Sequence, residues 1–382
     1  MFVVEYFKKS LLSIDYFMVL LISGLCVFGI IVIGSVTNIH INPNSSLLAQ
    51  QQFAFISGLV MFFVFSLINY KLFTRFYWFI YGFNMLLLIL TYFFGTGAAN
   101  VNRGLLISFG GLSLGIQPSQ YAKIFMILFL AGFIDKYKEK INNPLVLLAL
   151  AGLIVVPVYL IFQQPSLSAS MVVLLISATM VFLGGLSYKY IFTALCAILP
   201  AGVLFYLDLS RGIGNFLVID RIISPFQINR LLEFVGEPGF QTSQARVALG
   251  SGQLAGQGLH NGIINQMGIL PEAHNDFIFA VIGEEFGFIG ANIVLFVIFL
   301  LIIKCLIISH FADTLVGRLV AAGVCGMLFF QTFIHVGVVT NILPNTGITL
   351  PFVSYGGSSM WALMISMGIV MNIHINRSTS NL

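Results

Sequence analysis

The chain has 382 residues, of which 59% are hydrophobic and only 8% are charged. Soluble domains carry about a quarter charged residues, so water cannot be the main solvent of this chain. The formal net charge of +4 is small for the length and gives no support to nucleic-acid binding. The composition therefore predicts one membrane domain.

The four cysteines lie inside apolar runs, without a Cys-x-x-Cys motif or a neighbouring pair of histidines. We interpret them as small buried hydrophobic residues. They are Cys26, Cys196, Cys305 and Cys325. Near the N-terminus, Lys8 and Lys9 precede the first apolar run, and no small-residue cleavage site follows it. The first run is therefore predicted to be an uncleaved membrane span.

Apolar runs long enough to cross a membrane recur along the whole chain. A hydrocarbon core about 30 Å thick requires roughly 20 apolar helical residues. Ten candidate runs result, with polar breaks between them, and the pairs around Gln163 and Ser187 are separated by so little that either could be one bent span. They extend approximately from Tyr16 to Ser35, Gln51 to Tyr70, Phe76 to Gly95, Pro118 to Phe133, Leu145 to Phe162, Leu167 to Gly185, Tyr190 to Leu207, Phe277 to Ile303, Leu315 to Thr340 and Gly356 to Ile375.

The distribution of Lys and Arg in the short loops predicts the orientation, because the translocated side is depleted of these residues. If ten spans alternate, most of the basic residues fall on one side and only Arg103 lies in the short loops of the other. The sorted residues are Lys8, Lys9, Lys71, Arg75, Lys136, Lys138, Lys140, Lys189, Lys304, Arg318 and Arg377. Both termini are therefore predicted to be cytoplasmic.

One long polar stretch, roughly Asp208 to Asp276, separates the seventh and eighth runs. With the predicted orientation it forms a large extracytoplasmic loop. Its segment from Gly250 to Gly262 is rich in glycine, which suits tight turns or close approach of the backbone to a ligand. The predicted fold class is all-α: a single polytopic membrane domain over residues 1–382 with this loop at 208–276.

A few ionisable residues fall at membrane depth, where charge is costly and each such group suggests a function. Lys123 lies early in the fourth run, Glu284 and Glu285 lie in the eighth, and Asp276 stands at the outer end of that run. On a regular helix Glu284 would lie about 80° around from Asp276 and roughly 12 Å deeper, with Glu285 on the opposite face. Only one of the two glutamates could then face a cavity.

Two interpretations of these groups stay open. Asp276 could be a helix N-cap, or it could act as a general base on a hydroxyl at the mouth of an outer groove. Lys123 and Glu284 could form a buried ion pair that fixes helix packing, or they could contact a substrate. His274 could do work similar to that of Asp276, but residues two apart, such as these two, do not face each other on a helix, so His274 is interpreted as an orienting or a bystander group.

The segment from Pro344 to Ser358, before the last run, contains Pro and Gly residues that prevent a regular helix. Non-helical backbone at membrane depth must line protein or water, so this segment could form a wall of a groove. An ordinary outer loop is the alternative. The same two interpretations apply to Gln164 and Pro165, between the fifth and sixth runs. No HExxH, Walker or GxSxG motif is present in the sequence.

Several of these segments together resemble the SEDS family of bacterial membrane glycosyltransferases, which includes RodA, FtsW and SpoVE. PEAHNDFIFAVIGEEFGFIG resembles the signature of that family around its DFIF motif, and PNTGITLPFVSYGGSS resembles its C-terminal motif. QPSQYAK and QQPSLSAS occupy the positions of its two Gln-Pro motifs, and GFQTSQARVALGSG resembles its loop segment. The resemblance covers almost the whole chain.

The resemblance implies a peptidoglycan polymerase that joins a growing glycan, carried on undecaprenyl diphosphate, to lipid II. The catalytic carboxylate of the DFIF motif corresponds to Asp276, which would deprotonate the 4-hydroxyl of the acceptor sugar. The substrate contacts would come from Arg103, Gln117, Lys123, Gln164, Glu272, His274, Glu284, Ser354, Tyr355, Gly356, Gly357 and Ser358.

The resemblance also implies the surroundings of the protein. We expect the bacterial cytoplasmic membrane, a class B penicillin-binding protein as the transpeptidase partner, and no resident cofactor beyond a divalent cation, Mg or Mn, assisting the diphosphate. A role in elongation, division or sporulation is not distinguished.

The chain departs from the family pattern at several positions. Gln120 replaces a usual Glu, Ser166 and Ser168 replace a usual Asp-x-Gly, and Arg103 is followed by Gly104 rather than Trp. A transporter or flippase of lipid-linked precursors, and an inactive scaffold for a penicillin-binding protein, are therefore kept as alternatives to the polymerase.

Overall fold

The structure of the protein, a computed structural model, describes residues 13–40, 47–95, 104–109, 112–164, 166–190, 192–193, 196, 200, 202–203, 225–236 and 238–380. Helices dominate these ranges. They are α1 (Tyr16–His40), α2 (Leu47–Leu67), α3 (Tyr70–Arg75), α4 (Tyr77–Phe94), α5 (Pro118–Tyr137), α6 (Pro144–Gln163), α7 (Leu167–Leu183), α8 (Pro225–Val235), α9 (Phe240–Ser251), α10 (Ile263–Gln266), α11 (Ile278–His310), α12 (Leu315–Val339) and α13 (Gly357–Ser380).

Seven of these helices are long and apolar enough to cross a membrane: α1, α2, α4, α6, α11, α12 and α13. The polytopic helical class is thereby confirmed, and helices also occupy the fourth and sixth predicted runs. The fourth, α5, is buried along most of its length, and the sixth, α7, has only 17 residues. Most of the seventh run lies outside the described residues, so the count of ten spans stays a prediction.

Short polar residues and prolines determine where several helices begin. Pro118 occupies the first turn of α5, where its missing N–H costs nothing. Asn143 caps α6 by accepting a hydrogen bond from the amide of Leu145 at 2.9 Å, and Pro144 follows it. Thr314 caps α12 by accepting from the amide of Gly317 at 3.0 Å. These local signals explain why the helix starts lie close to the predicted boundaries.

An antiparallel hairpin, β1 (Leu105–Phe109) and β2 (Leu112–Ile116), lies between α4 and α5. Its register pairs Leu105 with Ile116 and Phe109 with Leu112. The all-α prediction missed this hairpin, because each strand has only five residues and a search for apolar runs of about 20 residues does not detect it.

Helix α13 packs closely along α2, and glycines allow the approach. A β-carbon at Gly368 would lie 2.6 Å from the carbonyl oxygen of Phe62, and one at Gly58 would lie 3.0 Å from Cγ of Met364. Asn372 adds polar contacts by donating to the carbonyl of Ser66 and accepting from the amide of Tyr70. Small residues and buried amides are the usual means of joining helices in lipid.

Charged residues of three helices meet at one end of the bundle. Asp15, before α1, forms an ion pair with Lys304 of α11 at 2.6 Å, and Arg377 of α13 lies 4.4 Å from the ring of Phe311. Lys304 and Arg377 were both assigned to the cytoplasmic side from sequence.

The cysteine interpretation is correct for three residues only. Cys26, Cys305 and Cys325 are buried, whereas Cys196 is exposed. An apolar run has a lipid-facing side as well as a buried side, and hydropathy does not distinguish the two.

Candidate active site

Helix α11 is broken near its start. Gly287 has φ 68° and ψ −168°, which interrupts the helical backbone and leaves nearby carbonyl and amide groups without helical partners. The Gly-rich turn that follows α9 supplies the missing partners. The amides of Gln257 and Gly258 donate to the carbonyls of Glu284 and Glu285, each at 2.9 Å. On the far side of the break, the amide of Phe288 donates to the carbonyl of Gln253 at 2.8 Å.

The Gly-rich turn therefore approaches helix α11 closely. A β-carbon at Gly256, which has φ +81°, would lie 2.2 Å from the carbonyl oxygen of Glu285. Only glycine fits this approach without displacing the helix. The turn makes non-helical backbone tolerable by satisfying its polar groups.

The two buried glutamates of α11 hold the short helix α10. Glu284 accepts hydrogen bonds from the amides of Ile264 and Asn265 at 2.6 and 3.1 Å, and Glu285 accepts from the Asn265 side chain at 3.1 Å. The prediction that the glutamates face opposite ways is wrong, because Asn265 reaches both. The proposed Lys123–Glu284 ion pair is also wrong, since neither residue contacts the other.

Asp276 lies on a turn that precedes α11, not on the helix. The helix begins at Ile278, and Phe277 occupies the cap position without a side-chain cap hydrogen bond. The N-cap interpretation of Asp276 is therefore wrong, as is the helical spacing calculated between Asp276 and Glu284. Two contacts hold the turn from the opposite side: the hydroxyl of Ser354 donates to the carbonyl of Asn275 at 2.8 Å, and the amide of Tyr355 donates to the carbonyl of His274 at 2.9 Å.

The half-buried carboxylate of Asp276 lies against Gly347. A β-carbon on this glycine would lie 2.8 Å from Oδ2 of Asp276 and 3.6 Å from Nη1 of Arg230. Arg230, on α8, donates to the carbonyl of Asn345 at 3.2 Å. A carboxylate, a guanidinium and a bare stretch of backbone thus converge, although they come from three separate parts of the chain.

The segment from Pro344 to Gly356, between α12 and α13, is irregular and largely buried. Side chains of surrounding helices satisfy its carbonyl groups. Ser168 donates to the carbonyl of Thr346 at 2.7 Å, Gln331 donates to that of Thr349 at 2.9 Å, and Nδ1 of His335 contacts the carbonyl of Ile348 at 2.6 Å. The ordinary-loop alternative is therefore wrong, and the segment forms a wall within the bundle.

Lys123 is linked to this wall through Gln331. Its ammonium group is buried and donates to Oε1 of Gln120 at 2.7 Å and to Oε1 of Gln331 at 2.8 Å. Within the described residues, no carboxylate lies within 4.0 Å of this group. Amide oxygens can stabilise the ammonium ion without neutralising its charge.

Ser358 connects the first Gln-Pro motif to α13. Its hydroxyl accepts from the amide of Gln117 and donates to the carbonyl of Gly115, both at 3.0 Å. The amide of Gly356 donates to Gln51 at 3.1 Å, and Gly357 begins α13.

Gln164, at the end of α6, donates to the carbonyl of Leu88 at 3.1 Å. Arg103 falls outside the described residues.

An aromatic and polar rim lies beside the Asp276 turn. The rings of His274 and Tyr355 are 5.4 Å apart, and the Tyr355 hydroxyl donates to Gln50 at 2.6 Å. Burial lowers the pKa of His274 below its ordinary value of 6.5, while the carboxylate of Glu272, 3.9 Å away, acts in the opposite direction. Burial raises the pKa of Tyr355. His274 is therefore neutral near pH 7 and can orient neighbouring groups without adding charge.

Sequence reasoning missed Arg230 and Gln331, and a signal existed for both. Gln227, Arg230 and Leu231 have the i, i+3, i+4 spacing of one helix face, a signal that the prediction of a loop over 208–276 does not use. Gln331 and His335 lie four residues apart in an apolar span and so face the same way.

The fold and the site define a class: a polytopic helical membrane protein with a broken helix, a buried irregular wall, and a carboxylate paired in space with an arginine. The family described as Cell cycle protein, FtsW, RodA and SpoVE, matches residues 14–379. The chain belongs to this family, which confirms the resemblance seen in the sequence.

Curated relatives support the assignment of the chain to this family. The probable peptidoglycan glycosyltransferase FtsW of Bacillus subtilis is 34% identical over 96% of this chain and 92% of its own length. The peptidoglycan glycosyltransferase MrdB of Escherichia coli K12 is 34% identical over 95% of this chain and 94% of its own.

Solved structures also support the assignment to this family. A chain from a peptidoglycan synthase complex, described for its coordination of polymerization and crosslinking, matches with a TM-score of 0.76 and 26% identity over 95% of this chain and 98% of its own. The Thermus thermophilus rod shape determining protein RodA, as a D255A mutant, matches with a TM-score of 0.68 and 25% identity over 95% of this chain and 98% of its own.

Proposed function

We propose that this protein is a peptidoglycan glycosyltransferase that polymerises lipid II into glycan strands. The relatives described above carry that activity in their names. The observation that carries the proposal is the position of Asp276. Its half-buried carboxylate lies beside Arg230 and the backbone of Gly347, on a turn that Ser354 holds by a hydrogen bond.

In the proposed reaction, Asp276 accepts the proton of the 4-hydroxyl of the acceptor sugar. The hydroxyl oxygen then attacks the anomeric carbon of the growing chain and forms the new glycosidic C–O bond. The bond between that carbon and the phosphate oxygen breaks, and undecaprenyl diphosphate leaves with the electron pair. General-base assistance of this kind contributes about 10²–10⁴-fold to a rate.

Lys123 is the proposed cation for the diphosphate. It is buried and donates to two amide oxygens, and no carboxylate among the described residues lies within 4.0 Å, so an approaching diphosphate would not compete with a protein carboxylate for this group.

A divalent cation, Mg or Mn, would on this proposal arrive with the diphosphate. Among the described residues, no three His, Cys, Asp or Glu side chains cluster as a protein-built metal site would require. No step of the reaction is assigned to the cation.

The proposed setting is the bacterial cytoplasmic membrane, with ten spans, both termini cytoplasmic and the 208–276 loop outside. The sorting of basic residues supports this orientation. We further propose a class B penicillin-binding protein as partner, a choice supported by the structural similarity to a peptidoglycan synthase complex.

The test is polymerisation of labelled lipid II by the purified protein, alone and with its transpeptidase partner. Wild-type protein is expected to make glycan polymer, and Asp276→Asn to make at least 100-fold less while staying folded. Asp135→Asn, a change at the far end of α5, serves as the matched control and should leave polymerisation unchanged. Transport of lipid II across liposomes without polymer would instead support the transporter alternative.

A further inference from the structure

Four exposed lysines lie at one end of the bundle, on two segments of the chain. The first segment covers the end of α5 and the turn before α6, and the second follows α7. The lysines are Lys136, Lys138, Lys140 and Lys189. Helix α5 has 20 residues and starts beside the contact between Gln117 and Ser358, so its other end lies about 30 Å from that contact. These lysines are therefore separate from the candidate active site.

Asn142 holds the two segments together. Its Nδ2 donates to the carbonyl of Gly185 at 3.1 Å, and its Oδ1 accepts from the amide of Ser187 at 2.7 Å. Its backbone carbonyl accepts from the hydroxyl of Tyr190 at 3.0 Å. Lys189 lies between the last two of these partners, so it is brought to the segment that carries the other three lysines. The four lysines therefore form one surface, the lysine surface.

No protein carboxylate pairs with the lysine surface. Within the residues that the structure describes, no Asp or Glu oxygen lies within 4.0 Å of its ammonium groups. Lys304, by contrast, is paired with Asp15. Asp135 and Glu139 belong to the same stretch of chain, so four lysines and two carboxylates give a formal charge of +2. The lysine surface can therefore bind an anion from outside the protein.

Exposed apolar side chains adjoin the lysine surface on the same helices. Phe182 and Leu183 end α7, and Leu145 and Leu148 lie in the first turns of α6, all with exposed side chains. Tyr188, in the second segment, is also exposed, and tyrosine is enriched where a protein crosses from lipid into water. Cationic groups next to an apolar surface match a lipid with an anionic headgroup better than they match a soluble acidic protein.

We propose that the lysine surface binds the phosphate headgroup of an anionic phospholipid from the cytoplasmic leaflet. The proposal uses the orientation given above and does not depend on the reaction at Asp276. Lys140 and Lys189, on the two segments that Asn142 joins, would contact the phosphate, and the acyl chains would lie against the exposed ends of α6 and α7. Because Asn142 fixes the two segments, the lipid would be bound at a defined site rather than attracted generally.

The experiment titrates the purified protein in detergent with phosphatidylglycerol or with phosphatidylethanolamine of the same acyl chains, and native mass spectrometry measures the bound lipid. Wild-type protein is expected to prefer phosphatidylglycerol about tenfold or more. Lys140→Gln combined with Lys189→Gln should remove this preference, because each lysine near an anionic headgroup contributes about fivefold to affinity. Lys71→Gln combined with Arg75→Gln, which removes the same charge from exposed positions of α3, is the matched control and should keep the preference.

Asn142→Ala tests the arrangement rather than the charge. It keeps all four lysines but removes two of the hydrogen bonds that join the segments, so phosphatidylglycerol binding should weaken about threefold or more. Melting temperatures in detergent show whether each variant is folded. If Asn142→Ala is not, the comparison of the two charge variants, all at exposed positions, decides the question.

Several results would overturn the lipid site. Equal binding of the two lipids by wild-type protein would do so, as would equal losses in the lysine pair and its control, because general attraction to a basic end would then be sufficient. Full displacement of phosphatidylglycerol by inorganic phosphate would assign the lysines to a free anion instead. Binding of a polyglutamate peptide without any lipid preference would assign them to an acidic protein partner.

Discussion

Oδ2 of Asp276 lies 2.8 Å from the position that a β-carbon on Gly347 would occupy. Only glycine, which lacks a β-carbon, leaves the proposed base in this position. Gly347 also has φ +66°, which glycine adopts at little cost. Position 347 therefore requires glycine for two reasons: its positive φ, and the lack of room for a β-carbon beside Asp276. The second reason concerns the proposed reaction, because a β-carbon would displace the Asp276 carboxylate.

Gly347→Ala is expected to lower polymerisation at least tenfold, because the added methyl must displace the Asp276 carboxylate. The measurement is the initial rate of glycan formation from labelled lipid II. Gly185→Ala is the matched control: Gly185 also has positive φ, +98°, but open space surrounds its β position. Equal rate losses in the two variants would show that backbone strain, not displacement of Asp276, is responsible.

Gln331→Leu is expected to destabilise the protein by about 2 kcal/mol, because it leaves Lys123 with one fewer partner and the carbonyl of Thr349 with none. Thermal unfolding in detergent measures the effect. Gln163→Leu should change little, since the Gln163 amide bonds only Tyr159 on its own helix. Similar melting temperatures for wild type and Gln331→Leu would contradict the role given to this glutamine.

Glu284→Ala is expected to loosen the Gly-rich turn and α10, because two backbone amides lose their acceptor. Faster amide hydrogen exchange over residues 250–266 would report the change. Glu272→Ala, at the exposed rim, is the comparison variant and should leave exchange in this range unaltered. If Glu284 instead contacts substrate, as the sequence suggested, KM would rise while exchange stayed as in the wild type.

The stability of the protein is expected to fall as pH decreases below 6.5, and His274 is one contributor. Its pKa is lower in the folded protein than the ordinary 6.5, because burial disfavours the charged ring. The unfolded chain therefore binds a proton first, and protonation favours unfolding over the interval from 6.5 down to the folded value.

His274→Gln should flatten part of this dependence, as measured by melting temperatures between pH 7.5 and 5.5. His310→Gln, an exposed change at the end of α11, is the reference. A pH profile that is the same for all three proteins would exclude His274 as a contributor.

The sequence alone determined the membrane class and most helix positions. Apolar length is a local requirement, because each span must satisfy its own backbone within the bilayer. Pro118 and the Asn143–Pro144 pair marked helix starts for similarly local reasons. Asp276 was identified through its motif, and the wall segment through its Pro and Gly residues.

Only the tertiary structure decided what these residues contact. Asp276, Arg230 and Gly347 are separated by long stretches of chain, so no local pattern could bring them together. From its depth in an apolar run Glu284 is predicted to contact substrate, and only the structure shows that its carboxylate accepts from two backbone amides of α10. Hydropathy reports how far a residue is from water, whereas its partner depends on which distant segment packs against it.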